Sequence, residues 1–188
     1  GNLWVATRAK GVDKLKFLKE RFVHYKNTNP GFRNLSNNEI YGMTEDINNN
    51  IWFATLNGLN KFNPATNRVE NFMKKNDPGI TSDIQWTAHT NKKVMSDIVW
   101  VGSDAGAFAF SISAGKTVNP FKNKRLLDTL KFDRIMAVAI DDKKNLWLGG
   151  EAGLIRINVE TEELKRFQHS TGDAKSLSSN LIWMLFID

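Results

Sequence analysis

Several features that indicate the fold class or the cellular compartment of a protein are missing from this sequence. Its 188 residues include no cysteine, which excludes disulfides and thiolate metal sites and leaves the redox compartment open. No apolar run approaches the roughly 18 residues of a membrane-spanning helix. No apolar segment keeps a helical period for the ten or so residues that a helix needs, so we expect very little helix. No secretory signal peptide is visible, and we expect the sequence to be a piece of a longer protein.

What the sequence does contain is a repeat. Trp4, Trp52, Trp100 and Trp147 follow one another at intervals of 48, 48 and 47 residues. A glycine follows each of them six or seven residues later, at positions 11, 58, 106 and 153. Because self-similarity at a fixed period marks a stack of equivalent units, the repeat predicts the architecture before any single residue is considered.

Each repeat contains four short strand-like runs separated by turn residues. In the copy over 40–72, the first two runs are apolar or small on both sides, whereas the third and fourth alternate with polar residues. A strand that is apolar on both sides is covered on both faces, so the first strand is central and the last is peripheral. Four-stranded antiparallel blades arranged in this way predict an all-β protein, a β-propeller with four repeats in this chain.

The repeat phase also predicts where the chain divides. We expect a single propeller in which 1–26 holds strands two to four of a blade, complete blades occupy 40–72, 84–121 and 135–167, and 181–187 is a lone first strand. Two arrangements remain open. Either the last segment completes the first blade and closes a ring of four, or the chain is an arc of a larger propeller whose exposed faces or edges pair in a homodimer.

Several segments resemble a known repeat. They are 34–40 and 176–182, the turn over 46–52, the pair Ala54-Thr55 and the hairpin over 58–62. Together they resemble the two-component-regulator propeller repeat, which fills the periplasmic sensor region of bacterial hybrid two-component receptors. The third copy departs from the pattern, because Val94 stands where Asp is expected and its first hairpin is longer.

The resemblance implies a function as well as a fold. It implies a periplasmic fragment of a receptor that detects an oligosaccharide and signals to a cytoplasmic histidine kinase absent from this chain. Membrane attachment would then come only through other parts of the receptor, and no cofactor is implied. Two alternatives stay open: a propeller polysaccharide lyase or glycosidase, and a protein-interaction platform. No catalytic site is recognisable in the sequence, so we do not expect this chain to be an enzyme.

Candidate residues fall into structural and binding sets. We expect the four repeated tryptophans to fill the space between blades. Asp46 and Asp141 should accept backbone N–H groups in tight turns, and Gly58, Gly106 and Gly153 should form hairpin turns. The non-repeating Trp86 and Trp183 are candidates for sugar stacking near the central channel. The loops at one end of the channel contribute further candidates, of which Arg134 is the first choice; the others are Arg8, Lys10, Asn38, Asn57, Asp83, Asp104, Glu151 and Asn180.

The net charge of the chain gives little information about its function. A formal net charge of +6 is scattered over every repeat, which is consistent with solubility or with attraction to anionic polymers in general. Because no recognition helix, zinc knuckle or aromatic-basic signature is present, we expect no nucleic-acid partner. No metal site is expected either.

Overall fold

Antiparallel β-strands dominate the computed structural model, which describes residues 3–7, 10–16, 21–27, 34–131 and 133–188. The strands are β1 (Leu3–Thr7), β2 (Gly11–Lys16), β3 (Arg21–Tyr25), β4 (Ile40–Glu45), β5 (Ile51–Thr55), β6 (Gly58–Asn63), β7 (Arg68–Phe72), β8 (Gln85–His89), β9 (Ile98–Ser103), β10 (Gly106–Ser111), β11 (Lys116–Val118), β12 (Ile135–Ile140), β13 (Asn145–Gly150), β14 (Gly153–Asn158) and β15 (Leu164–Phe167). One short helix, α1 (Lys124–Asp128), lies between β11 and β12. The expected all-β class is confirmed.

The strands form four antiparallel sheets in which each strand pairs with its neighbour in sequence. We name them sheet A (β1–β3), sheet B (β4–β7), sheet C (β8–β11) and sheet D (β12–β15). Within the described residues, sheet A has three strands and each of the others has four. Short turns between consecutive strands favour this meander, because antiparallel neighbours need only a tight hairpin.

Glycine shapes the hairpin between the second and third strands of each repeat. In sheet B, Thr55 pairs with Gly58 across a two-residue turn, and Gly58 has a φ of 103°. Gly11, Gly106 and Gly153 have φ values of 92°, 101° and 99°. A side chain would be strained in this left-handed region, so the glycine keeps the turn short.

The hydrophobic core lies between neighbouring sheets. Sheets A and B enclose a cluster around Phe53 and Phe62, sheets B and C enclose Trp52 and Phe110, and sheets C and D enclose Trp100 together with many aliphatic side chains. This radial packing of sheet on sheet is that of a β-propeller. Among the described helices, none is both long and apolar enough to cross a membrane.

The four repeated tryptophans differ in burial. Trp52 and Trp100 are 0% exposed, whereas Trp4 and Trp147 are half-buried. The first two belong to sheets with neighbours on both sides, and the other two belong to the terminal sheets A and D. Exposure therefore follows from the position of the sheet in the stack.

The first strands are less uniform than their sequences suggest. All six residues of β12 are buried, as expected for a central strand. In β4, however, only Ile40 is buried, and Tyr41 is 40% exposed. The first strand of sheet B is therefore more accessible than that of sheet D.

The predicted strand over 181–187 is not formed. This segment has no regular secondary structure in the part of the chain that the structure describes. It lies against sheet D, where the Ile182 N–H donates to the Gly150 carbonyl at 2.9 Å. A strand requires a partner along its edge, and no hydrogen bond between the segment and β1 is formed among the described residues. The sheets therefore form an open arc, in the order A, B, C and D.

Candidate functional site

Polar and aromatic side chains from sheets B, C and D meet along one edge of these sheets, where the first strands begin. The group consists of Glu39, Tyr41, Trp86, Asp104, Arg134 and Glu151, and we call it the aromatic–arginine cluster. Its members come from the start of the first strand, or from the turn between the second and third strands, of sheets B, C and D. Four of them, Trp86, Asp104, Arg134 and Glu151, are candidates from the sequence.

Arg134 is the centre of the cluster. Its Nε donates to Asp104 Oδ1 at 2.7 Å and its Nη1 donates to Glu151 Oε1 at 2.8 Å. The guanidinium carbon lies 5.5 Å from the centroid of the Trp86 ring, within the range of a cation–π contact. Two carboxylates and one indole therefore fix the orientation of the guanidinium.

Both the indole N–H and the ring of Trp86 make contacts in the cluster. Its Nε1 donates to Asp104 Oδ1 at 2.8 Å, so this one oxygen accepts from both Trp86 and Arg134. The ring of Tyr41 lies 4.8 Å from it, centroid to centroid, with the planes at 42°. The Tyr41 hydroxyl donates in turn to Glu39 Oε2 at 2.8 Å.

A β-bulge places each of the two aromatic side chains. The pairing of β4 with β5 skips one residue between Ile40 and Gly42, so Tyr41 is the extra residue. The pairing of β8 with β9 skips Trp86 in the same way, and that of β12 with β13 skips Met136. A bulge redirects its extra side chain, and bulges are common beside binding sites. The same irregularity in successive sheets therefore brings Tyr41 and Trp86 together.

The sequence alone did not single out Tyr41. Trp86 is a candidate because it does not recur in the other copies, and Tyr41 is not among the candidates. The equivalence of Tyr41, Trp86 and Met136 depends on the strand starts Ile40, Gln85 and Ile135, and Gln85 differs in type from the two isoleucines.

Trp183 occupies the same repeat phase but lies apart from the cluster. It directly follows Ile182, as Met136 follows Ile135. Its side chain is 65% exposed, and among the described residues it has no ring contact with Trp86. The structure therefore separates the two tryptophans that the sequence paired as candidates.

Asn38 and Asn180 share a structural position at corresponding points of two repeats. The Asn38 carbonyl accepts the Gly11 N–H at 2.9 Å, and the Asn180 carbonyl accepts the Gly153 N–H at 2.9 Å. Their side-chain oxygens accept the N–H groups of Asn27 and of His169, at 2.8 and 2.7 Å. These contacts join the end of one sheet to the start of the next.

The remaining loop candidates do not join the cluster. The Asp83 carbonyl accepts the Gly58 N–H at 2.7 Å, and its carboxylate accepts the Lys74 N–H at 2.7 Å. Asn57 is exposed and donates its backbone N–H to Thr55 Oγ1. Lys10 is exposed, and Arg8 lies outside the described residues.

Asp46 organises the first hairpin of sheet B. It is 0% exposed, and its Oδ1 accepts the N–H groups of Asn48 and Asn50 at 2.8 and 2.9 Å. Its Oδ2 accepts from the Asn50 side chain at 3.0 Å and from Trp52 Nε1 at 2.8 Å. The buried indole N–H and the buried carboxylate therefore satisfy each other.

Asp141 repeats this arrangement in sheet D. It accepts from the Asn145 N–H at 2.8 Å and from Trp147 Nε1 at 2.9 Å. Burial alone raises the pKa of Asp141, but hydrogen bonds from Trp147, from Asn145 and from the Lys143 backbone outweigh it and hold the pKa below its usual value. The ionised carboxylate is therefore part of the folded hairpin.

Two further features bear on what the cluster can do. Among the described residues, no group of three or more His, Cys, Asp and Glu side chains is arranged to hold a metal ion. The cluster instead offers aromatic rings beside hydrogen-bonding carboxylates and a guanidinium, and such a combination suits a ligand with apolar C–H faces and many hydroxyls.

Comparison with known proteins identifies the repeat. The family model described as "Two component regulator propeller" matches residues 34–57, which run from the loop before β4 to the turn after β5. The resemblance inferred from the sequence is therefore confirmed. No curated protein sequence matches the chain.

Solved structures show the fold over the full chain. The extracellular domain of a protein assigned as a hybrid two-component system from B. thetaiotaomicron aligns with a TM-score of 0.80 and 22% identity, over 100% of this chain and 23% of that one. A second such domain from the same organism gives a TM-score of 0.70 and 19% identity, over 89% and 22%. This chain thus spans less than a quarter of the length of either domain.

Enzymes also share the fold. Virginiamycin B lyase from Staphylococcus aureus aligns with a TM-score of 0.62 and 16% identity, over 93% of this chain and 54% of that one. The fold is thus common to extracellular domains of two-component systems and to a lyase. The chain is an arc of a β-propeller, and it carries the two-component regulator propeller repeat.

Proposed function

We propose that this chain is part of the periplasmic sensor region of a hybrid two-component system and binds an oligosaccharide at the aromatic–arginine cluster. The repeat match and the similarity to extracellular domains of such systems support the sensor role. The observation that carries the binding proposal is the contact of Tyr41 with Trp86, which bulges in neighbouring sheets bring together, and of Trp86 with Arg134.

The chemistry of the cluster suits a sugar. An indole and a phenol ring side by side give a surface on which the C–H face of a pyranose packs. The carboxylate of Glu151 is half-exposed, with 53% of its side chain accessible, and can accept hydrogen bonds from sugar hydroxyls. Asp104 holds the indole and the guanidinium, and Glu151 also holds the guanidinium, which reduces the entropy lost on binding.

A ligand at this position contacts more than one sheet. Tyr41 belongs to sheet B, Trp86 and Asp104 to sheet C, and Arg134 and Glu151 to sheet D. An oligosaccharide that touches all three stabilises one relative arrangement of the sheets over others. Signalling then follows from a shift between arrangements that the ligand binds with different affinity.

The two alternatives predict different observations. A glycosidase usually requires a pair of carboxylates that act on the substrate, and a lyase requires a general base, whereas Asp104 and Glu151 are both bonded to Arg134. An interaction platform requires no small ligand. No specific contact in the structure favours either alternative.

The test is a titration of the protein with neutral and acidic oligosaccharides, in which tryptophan fluorescence and thermal shift measure binding. We expect saturable binding without product formation, weakened about tenfold or more by Trp86→Ala or Arg134→Ala. Arg156→Ala is the matched control, since Arg156 pairs with Glu163 outside the cluster. Binding that survives both cluster variants would refute this site, product formation would indicate an enzyme, and the absence of any binding would favour the platform.

A further inference from the structure

Two positions in each repeat supply the charged side chains of the aromatic–arginine cluster. One position directly follows the second strand of a sheet, and the other directly precedes its first strand. The same backbone hydrogen bond joins them in three sheets: Leu56 N–H to the Glu39 carbonyl at 3.1 Å in sheet B, Asp104 N–H to the Ile84 carbonyl at 3.1 Å in sheet C, and Glu151 N–H to the Arg134 carbonyl at 3.3 Å in sheet D. The backbone is therefore alike in the three sheets although the side chains differ.

The hairpins do not require charged side chains at these positions. The turn of sheet B forms with Leu56 where sheets C and D carry Asp104 and Glu151. In sheet C, Ile84 stands where the neighbouring sheets carry a glutamate and an arginine. Because an apolar residue serves at each position, we assign the charged residues to recognition rather than to the fold.

The cluster is acidic although the chain is basic. Three carboxylates, those of Glu39, Asp104 and Glu151, and the single guanidinium of Arg134 give it a formal charge of −2, whereas the whole chain carries +6. Charges more than about 10 Å away are largely screened at physiological salt. A ligand at the cluster therefore meets the negative charge of the cluster and not the positive charge of the chain.

The hydrogen bonds inside the cluster leave acceptors open on its carboxylates. Asp104 accepts from both Trp86 and Arg134 through the same oxygen, Oδ1. Glu151 accepts through Oε1 and Glu39 through Oε2. Among the described residues, no hydrogen bond reaches the second oxygen of any of these three carboxylates. The cluster therefore has unused acceptors, which suit a ligand that donates.

The contacts of Arg134 show that a cation is stable in these surroundings. Its guanidinium lies between two carboxylates and 5.5 Å from the centroid of the Trp86 ring. A protonated amine has three donor hydrogens and no acceptor, so it can use the open carboxylate oxygens, and the faces of aromatic rings attract it. A ligand carboxylate would instead bring a further negative charge to the same place, which lowers affinity.

We propose that the aromatic–arginine cluster selects amino sugars, binding a positively charged hexosamine more tightly than the neutral sugar and the neutral sugar more tightly than the uronic acid. This inference rests on the proposed function, in which the cluster binds an oligosaccharide, and it adds the chemical class of the ligand. The preference is electrostatic, so it weakens as the salt concentration rises.

The test uses the methyl β-glycosides of glucosamine, glucose and glucuronic acid, which share a ring and differ in charge. Each is titrated at about pH 6, where the amine is protonated and the carboxylates are ionised. The indole N–H signal of Trp86 in a proton–nitrogen correlation spectrum, assigned with Trp86→Phe, measures binding. We expect the dissociation constant of the glucosamine glycoside to be about fivefold below that of the glucose glycoside, and that of the glucuronide about fivefold above it. Both differences should shrink in about 0.5 M salt.

Single substitutions should shift the preference in both directions. Glu151→Gln removes one negative charge and should lower the glucosamine-to-glucose affinity ratio about twofold. Glu163→Gln, at an exposed glutamate that pairs with Arg156 between β14 and β15, is the matched control and should leave the ratio unchanged. Leu56→Glu adds a carboxylate at the position equivalent to Glu151 and should raise the ratio about twofold, with Leu56→Gln as its neutral control.

The possible outcomes separate this inference from the proposed function. Equal affinities for the three glycosides, tighter binding of the glucuronide, or a ratio that neither Glu151→Gln nor Leu56→Glu changes would overturn the preference and leave the binding site standing. If none of the three glycosides moves the Trp86 signal, the binding site itself is refuted, and the preference with it.

Discussion

The first hairpins of sheets B and C bury the same indole in different ways. In sheet B the Trp52 Nε1 hydrogen is bonded to Asp46. In sheet C Val94 stands six residues before Trp100, and the Trp100 Nε1 atom is buried with no partner. Both tryptophans are 0% exposed, so burial of the ring does not depend on the hydrogen bond.

The longer hairpin of sheet C is stabilised by bonds to its neighbours. Thr90 Oγ1 donates to the Glu45 carbonyl of sheet B at 2.8 Å, and the Asn91 side chain donates to the Ile140 carbonyl of sheet D at 3.1 Å. Asp97 binds the side chains of Ser111 and Ser113 instead of the indole. One hairpin is therefore ordered by its own turn, and the other by the sheets on either side.

Replacing Asp46 should have the largest effect. Asp46→Ala leaves Trp52 Nε1 and the Asn50 amide buried without an acceptor, and we expect it to lower the free energy of unfolding by about 3 kcal/mol. The matched change in sheet C, Val94→Ala, removes only apolar contacts and should cost about 1 kcal/mol. Urea denaturation measures both. Equal losses would show that the carboxylate does not organise the turn.

Replacing each tryptophan by phenylalanine sharpens the comparison. Both Trp52→Phe and Trp100→Phe remove the same volume from a fully buried site, but only Trp52→Phe takes a donor from a buried carboxylate. We expect Trp52→Phe to cost about 1–2 kcal/mol more than Trp100→Phe. The difference between the two denaturation curves is the measurement, and a larger loss for Trp100→Phe would contradict the account of the unpartnered indole.

The smallest effect is a pH dependence that sheet D contributes through Asp141. Because its folded pKa lies below the usual 3.8, the stabilisation is fully present above that value and is lost as the pH falls through the folded pKa. Asp141→Asn should therefore reduce the loss of stability on acidification. Denaturation at pH 6 and at about pH 3 tests this, with Asp142→Asn as the control, since Asp142 is exposed and forms a surface pair with Lys93. An unchanged pH dependence in Asp141→Asn would contradict it.

The sequence predicted the features that recur and missed those that depend on neighbours. The spacing of the tryptophans predicted the sheets, because each tryptophan lies at the same point of its repeat, on the first or second strand of its sheet. Arg134 and Trp86 were recognised as candidates, but their contact through Asp104 was not, since Asp104 lies on a different turn. Contacts between sheets depend on how far the sheets are rotated about the axis, and no periodicity encodes that rotation.

Two further features of the structure were not predicted from the sequence: the bulges in the first strands and the conformation of residues 181–187. The bulges fall at the same point of three sheets, but the residues that open the first strands, Ile40, Gln85 and Ile135, differ in type, and this difference hid the equivalence of Tyr41 and Trp86. Residues 181–187 have the sequence of a first strand, yet form none, because a strand exists only where a partner lies beside it. Sequence pattern therefore predicts what a segment is suited to, and the surrounding structure decides whether it forms.

The bulged position has a consequence for how such arcs diversify. In sheets B and C it contributes the aromatic rings of Tyr41 and Trp86 to the aromatic–arginine cluster, and in sheet D it holds the buried Met136. This position therefore accepts a phenol, an indole or a thioether in sheets of the same topology. New recognition properties can arise by exchanging this one residue, one blade at a time, while the rest of the sheet is kept.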